Sequence, residues 1–275
     1  MENKTVKPLR HNGSTDINSS GRNSTTENFR SRTVETNTNF SAVLNELESL
    51  CIAKGPGLSN QRQERQVREV IEERGIIRVC HFTRIENLES MLSKGYIYSR
   101  EELESLGINR IDNDPRRFDG HKKYICCSIM RPNRFLLSKW INENTDGRND
   151  WIVLCIDPQI MARQCSFSSV NAATGGGQHI REGIEALESM FANTVTNRRG
   201  IITRPSGREK YFTTDEQAEV LIKGRIPINE RYNKVKGIRY EKGNLVVERK
   251  IRALLNENAL DLQIAPTEKE FFIHV

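Results

Sequence analysis

Apolar residues recur along this chain in two different periods, and the switches between them mark out its elements. From Phe40 to Ala53 the spacing of Phe40, Val43, Leu44, Leu47 and Leu50 predicts a helix, broken by Gly55-Pro56-Gly57. A second helix is predicted from about Asn60 to Arg74. Val67, Val70 and Ile71 form its apolar stripe, and Gly75 suits a left-handed cap. Ile76 to Phe82 then reads as a strand. Thr83 and Glu86 have the spacing of a capping box, opening a helix through Leu88, Met91 and Leu92 to Gly95. His81 therefore falls where a strand hands over to a helix, a frequent place for ligand-binding groups, although a lone histidine is more often structural.

Further on, Glu101 to Leu106 fits a short helix, Tyr124 to Met130 a strand, and Trp151 to Asp157 a buried strand stopped by Pro158. A helix is expected from about Glu182 to Ala192. A short apolar strand runs from Glu219 to Ile222 and is closed by Gly224. A strand at Lys236 to Tyr240, a helix at Leu245 to Leu255 and a last strand at Phe271 to His274 complete the pattern. Strands dominate the middle, with helices at the start and in crossovers, so the fold class is α+β. Residues 1–40 are rich in Asn, Ser, Thr and Arg and have too few apolar positions to offset ordering entropy. The expected division is a flexible tail with one short helix over 1–59 and a single domain over 60–275.

Glu219 changes this picture, because it stands between Ala218 and Val220 at the head of an apolar strand. A carboxylate near a core needs a partner or a task. The plain alternative is an edge-strand Glu facing solvent. Just upstream, a long loop carries Arg198, Arg199, Arg204, Arg208 and Lys210, with Gly200 and Gly207 to let it move. A carboxylate beside a cationic loop suits phosphate-bearing molecules. Arg116 and Arg117 lie between Asp114 and Asp119, where they either pair with those acids or grip a pyrophosphate. The formal charge of +6 is compatible with nucleic acid without requiring it.

Other chemistries are absent from the pattern. The glycine-rich run Asn171 to Gly177 lacks both Gly-x-Gly-x-x-Gly and the P-loop lysine, so no Rossmann or P-loop site is expected. The six cysteines, Cys51, Cys80, Cys126, Cys127, Cys155 and Cys165, form no Cys-x-x-Cys pair and sit mostly in apolar runs. They read as reduced, buried thiols of a cytoplasmic protein, not as zinc ligands. No membrane-spanning run is expected.

Four blocks resemble the DarT family of ADP-ribosyltransferase toxins. They are His81-Phe82-Thr83-Arg84-Ile85-Glu86-Asn87-Leu88, then Arg117-Phe118-Asp119-Gly120 with the following strand and Arg131-Pro132-Asn133. The third is Trp151-Ile152-Val153-Leu154 with Asp157-Pro158 and Asn171-Ala172-Ala173, and the fourth is Thr214-Asp215-Glu216-Gln217-Ala218-Glu219-Val220-Leu221. Together they span about residues 76–230. Phe118 stands where the family pattern leads to Leu, and Glu216 where it leads to Pro.

The resemblance implies an ADP-ribosyltransferase fold, with two packed, mainly antiparallel sheets and a cleft for NAD+ as co-substrate. It implies transfer of ADP-ribose to a base of single-stranded DNA, a cognate antitoxin and a role in phage defence. It assigns the catalytic carboxylate to Glu219 and the pyrophosphate or nucleotide grip to Arg117. His81, Phe82 and Thr83 would bind NAD+, and no metal is required. Breaking the nicotinamide glycosidic bond builds oxocarbenium-like charge, which a carboxylate on the ribose 2′-OH stabilises. Arg199, Arg204, Arg208 and Lys210 would then contact nucleic-acid phosphates, and Tyr211 or Phe212 would stack on a base. Transfer to RNA, transfer to a protein side chain (Gln217-Ala218-Glu219 is a Gln-x-Glu) and a non-enzymatic basic binding module remain as alternatives.

Overall fold

A computed structural model describes residues 58–112, 119–143, 149–163, 165–228 and 234–274. The expected tail and the helix at Phe40 to Ala53 lie outside the described residues.

Helix α1 spans Leu58–Arg74, and Gly75 follows in the left-handed region with φ +67, as its place in the sequence leads one to expect. Strand β1 covers Val79–Arg84, a single turn of 3₁₀ helix covers Ile85–Asn87, and α2 covers Leu88–Lys94. The expected capping box does not form. Thr83 stays inside the strand, and its Oγ1 accepts from the Asn87 side chain at 3.0 Å. Next come β2 (Tyr96–Tyr98), α3 (Arg100–Ser105), β3 (Tyr124–Ile129), α4 (Arg134–Asn142) and β4 (Trp151–Ile156). The second half holds β5 (Cys165–Ser168), β6 (Arg181–Glu182), α5 (Ile184–Ser189), β7 (Thr194–Asn197) and β8 (Gly200–Thr203). It closes with β9 (Glu219–Lys223), β10 (Arg225–Pro227), β11 (Val235–Glu241), α6 (Leu245–Glu257) and β12 (Gln263–Thr267).

Eight strands are hydrogen-bonded in the order β12-β11-β4-β1-β3-β9-β5-β6, antiparallel except for β11 and β12. This order contains two four-stranded halves. Strand β1 pairs with β4 over six residues, from Val79↔Ile156 to Arg84↔Trp151. It pairs with β3 only at Val79↔Ile129 and Cys80↔Ser128. Beyond Cys80 the halves part, and a cleft opens between them. One core, including Val79, Leu88, Ile156, Leu187, Val220 and Ile251, lies under α1, α2, α5 and α6. A smaller one gathers Cys80, Leu137, Trp151, Val153 and Phe272 on the opposite face of β1 and β4.

Three differences from the sequence reading have physical causes. The segment taken as one long loop contains the β7–β8 hairpin, whose tip is Arg198-Arg199. Its strands carry a single buried apolar residue, Val195, so no period-2 apolar signal exists. The last strand is Gln263–Thr267 and not Phe271 to His274; Phe272 instead follows a 3₁₀ turn and fills the smaller core. Strand β9 is no edge strand, since it lies between β3 and β5. Cys80, Cys127, Cys155 and Cys165 are buried free thiols and Cys126 is half-buried, while Cys51 lies outside the described residues.

Candidate active site

The opening between β1 and β3 is the mouth of a cavity of about 1040 Å³. One wall is β1 with His81, Phe82 and Thr83; the facing wall is β3 with Ile125, Cys126 and Cys127. Asn171 to Gly176 and the strand start at Glu219 form a third side. Asn87, Arg100, Arg110 and Asp112 form a fourth.

His81 Nδ1 lies 2.9 Å from the Cys126 carbonyl, spanning the gap between the halves. A carbonyl only accepts, so Nδ1 carries the proton of this contact. Thr83 is 1% exposed, and Asn87 joins it to the far wall: Nδ2 also donates to the Ile111 carbonyl, and Oδ1 accepts from the Ile111 N–H at 2.8 Å. Arg100 and Arg110 both reach Asp112, at 2.8 and 2.6 Å, which ties down the segment entering residues 113–118.

Glu219 is 8% exposed and sits opposite Ser168 of β5. Its Oε1 accepts from the Ala172 N–H at 3.2 Å. That bond joins the carboxylate to the glycine-rich wall, whose tight course needs glycine at one point above all. A Cβ on Gly177 (φ +92) would come within 2.8 Å of the Asp119 carbonyl. The glycine-rich run is thus neither a Rossmann nor a P-loop turn but a cavity wall.

Asp215 and Gln217 also line the cavity, as do Asn197, Arg198 and Arg199 at the hairpin tip. The remaining loop cations point elsewhere. Arg204 donates to the Phe212 carbonyl at 2.8 Å and the Glu209 carbonyl at 2.9 Å. Arg208 donates to the Thr213 carbonyl at 2.8 Å and pairs with Glu216. Lys210 reaches the Glu73 carbonyl on α1. Tyr211 packs edge-on against Phe212, 4.7 Å between ring centres, and both lean on the main core. None of these four residues, expected to meet nucleic acid, lines the cavity; Arg204 and Arg208 brace the segment that delivers Glu219. Of the sequence-predicted set the structure brings together His81, Phe82, Thr83, Arg199 and Glu219. Arg117 lies outside the described residues, between Asp112 and Asp119, both of which line the cavity. The sequence reading gave Asn87, Asn197 and Asp215 no role of their own, because single polar residues give no periodic signal.

The family model described as "ssDNA thymidine ADP-ribosyltransferase, DarT" matches residues 80–259, well over half of the chain. The chain belongs to the DarT family. It is an NAD+-dependent ADP-ribosyltransferase, acting on single-stranded DNA with NAD+ as co-substrate. Among solved structures it resembles Thermosipho africanus DarTG in complex with ADP-ribose, at 17% identity and a TM-score of 0.51, covering 72% of this chain and 51% of that one. That likeness supports the DarT fold. Thermus sp. 2.9 DarT in complex with NAD+ matches at 12% identity and a TM-score of 0.49, over 72% of this chain and 98% of that one. The same Thermus protein in complex with ADP-ribosylated ssDNA matches at 15% identity and 0.46, over 73% and 97%. No curated protein matches the sequence closely enough to count as a relative. Among the described residues no cluster of His, Cys, Asp and Glu is placed to hold a metal, and no helix is long and apolar enough to cross a membrane.

Proposed function

We propose that residues 60–275 transfer ADP-ribose from NAD+ to the N3 nitrogen of thymine in single-stranded DNA, with Glu219 as the catalytic carboxylate. The observation that carries this reading is the placement of Glu219, a buried carboxylate held by the Ala172 N–H in a cavity shared with His81 and Thr83. The bond between nicotinamide and ribose C1′ breaks, and nicotinamide leaves with the electron pair. Positive charge develops on the ribose, and the Glu219 carboxylate stabilises it through the 2′-OH. N3 carries the only ring N–H of thymine in a nucleotide; it bonds to C1′ as its proton passes to the Glu219 carboxylate. That N–H is used in an A·T pair, so the acceptor must be unpaired.

His81, Phe82 and Thr83 bind NAD+ on the β1 wall, with Arg117 on its pyrophosphate. Arg198 and Arg199, exposed at the rim, meet the DNA phosphates. A cognate antitoxin and a defence role belong to the same proposal. The test is incubation with NAD+ and matched oligonucleotides with and without thymine, single-stranded and duplex, followed by mass spectrometry. The ADP-ribose increment is expected only on the thymine-containing single strand. Equal labelling of RNA, of duplex or of protein overturns the assignment.

A further inference from the structure

Asn197 ends β7 and faces two ways. Its Oδ1 accepts from the Arg199 N–H at 2.8 Å, which shapes the hairpin turn. Its Nδ2 donates to Asp215 Oδ2 at 3.2 Å. Asp215 is 3% exposed, and its other oxygen accepts from the Gln217 N–H at 2.8 Å. Its carbonyl accepts from Thr213 Oγ1 at 2.7 Å and from the Ala218 N–H at 3.2 Å, immediately before Glu219. One side chain therefore fixes the tip that carries Arg198 and Arg199, and its partner fixes the turn that leads into the catalytic strand. The hairpin base is held separately, by the Arg204 N–H on the Asn193 carbonyl at 2.7 Å and by Thr214 on Ala192. Only the Asn197–Asp215 bond ties tip to turn at the cavity itself, among the described residues.

We propose that Asn197 and Asp215 form a latch of positioning residues that sets the acceptor. The latch holds the hairpin tip over Glu219, so that the ribosyl cation meets a DNA base and not water. This rests on the transferase reading above. With the latch open, water attacks C1′ as nicotinamide departs with the electron pair, the water proton passes to Glu219, and free ADP-ribose forms. Both groups line the cavity, so a shift of the tip alters the cavity wall itself. Bulk electrostatics makes the opposite demand. Removing the Asp215 charge from the wall of a cavity that receives DNA should by itself tighten oligonucleotide binding.

The test is Asp215→Asn, Asn197→Asp and the double exchange, each assayed with NAD+ and a thymine-containing oligonucleotide. In either single variant two donors or two acceptors face each other. In the exchange the hydrogen bond runs the other way, the carboxylate then at position 197 still accepts from the Arg199 N–H, and the net charge is that of the wild type. Each single variant is expected to raise the oligonucleotide KM and to lower the ratio of transferred to free ADP-ribose about tenfold, the weight of one charge-assisted bond. The exchange is expected to restore both. If wild type labels DNA and the single variants keep its product ratio, the latch is wrong and the transferase reading stands. If the exchange remains as impaired as the singles, the effect is structural and the latch is again wrong. A wild type that leaves the oligonucleotide unmodified overturns the transferase reading and the latch together.

Discussion

His81 and Cys126 bridge the two halves of the sheet where their strands no longer pair, with 2.9 Å between the Nδ1 nitrogen and the carbonyl oxygen. The same imidazole thus holds the cleft at a set width and faces its interior. The two tasks separate by substitution. His81→Asn can keep a donor near the Nδ1 position, whereas His81→Ala removes it. If the ring also touches NAD+, both variants are expected to raise the NAD+ KM by about tenfold, one hydrogen bond to a charged ligand. A normal KM in the Asn variant with a raised one in the Ala variant would restrict His81 to bracing the cleft.

Glu219→Gln is nearly isosteric and leaves an oxygen to accept from the Ala172 N–H. The variant is expected to melt at the wild-type temperature while single-turnover transfer falls by about 10²–10³ or more. A folded variant with near-normal transfer would remove Glu219 from the chemistry.

The loop cations divide into two classes, which salt titration should distinguish. Arg198→Gln with Arg199→Gln is expected to flatten the log–log salt slope of oligonucleotide binding by roughly 0.7 for each phosphate that is no longer neutralised. Arg204→Gln with Arg208→Gln is expected to lower the melting temperature and leave that slope almost unchanged, since their donors hold the chain's own carbonyls. A slope that responds only to the second pair would return the phosphate-binding role to Arg204 and Arg208.

Glu216 gives stability a pH dependence. Burial acts to raise its carboxyl pKa, but the Arg134 hydrogen bond and the charges of Arg134, Arg208 and His274 outweigh burial, and the net shift is downward from 4.5. A depressed folded-state pKa contributes stability that is present above the unfolded value. It is lost as pH falls through the folded one. Glu216→Gln is therefore expected to cost about 1–3 kcal/mol at neutral pH in urea unfolding. The gap from wild type should shrink steadily as pH drops below 4.5. A gap that is constant with pH would mean that the Arg134–Glu216 pair does not act through its charge.

Sequence carried much of this, and the exceptions have a common cause. Helices α1, with its Gly75 cap, and α6 follow from periodicity, because each buries one regular face; β4, buried on both faces, follows from its unbroken apolar run before Pro158. Glu219 was legible as a carboxylate out of place in an apolar strand. Cavity-lining Asn87 and the Asn197–Asp215 pair were not, because their partners lie 24 and 18 residues away, beyond the reach of any local pattern. The sequence also did not separate Arg199, which lines the cavity, from Arg204 and Arg208, which hold backbone carbonyls, for a related reason. Composition reveals charge, but not whether a guanidinium faces solvent or its own backbone.

Strand β9 enters the sheet between β3 and β5, although both are made much earlier in the chain. A ribosome therefore releases β1, β3 and the glycine-rich wall long before the strand that separates β3 from β5 and brings the Glu219 carboxylate to them. Pairings that distant in sequence form late. Incomplete chains that end before residue 219 contain most of the cleft but lack the carboxylate proposed as catalytic. Such chains are expected to leave DNA unmodified.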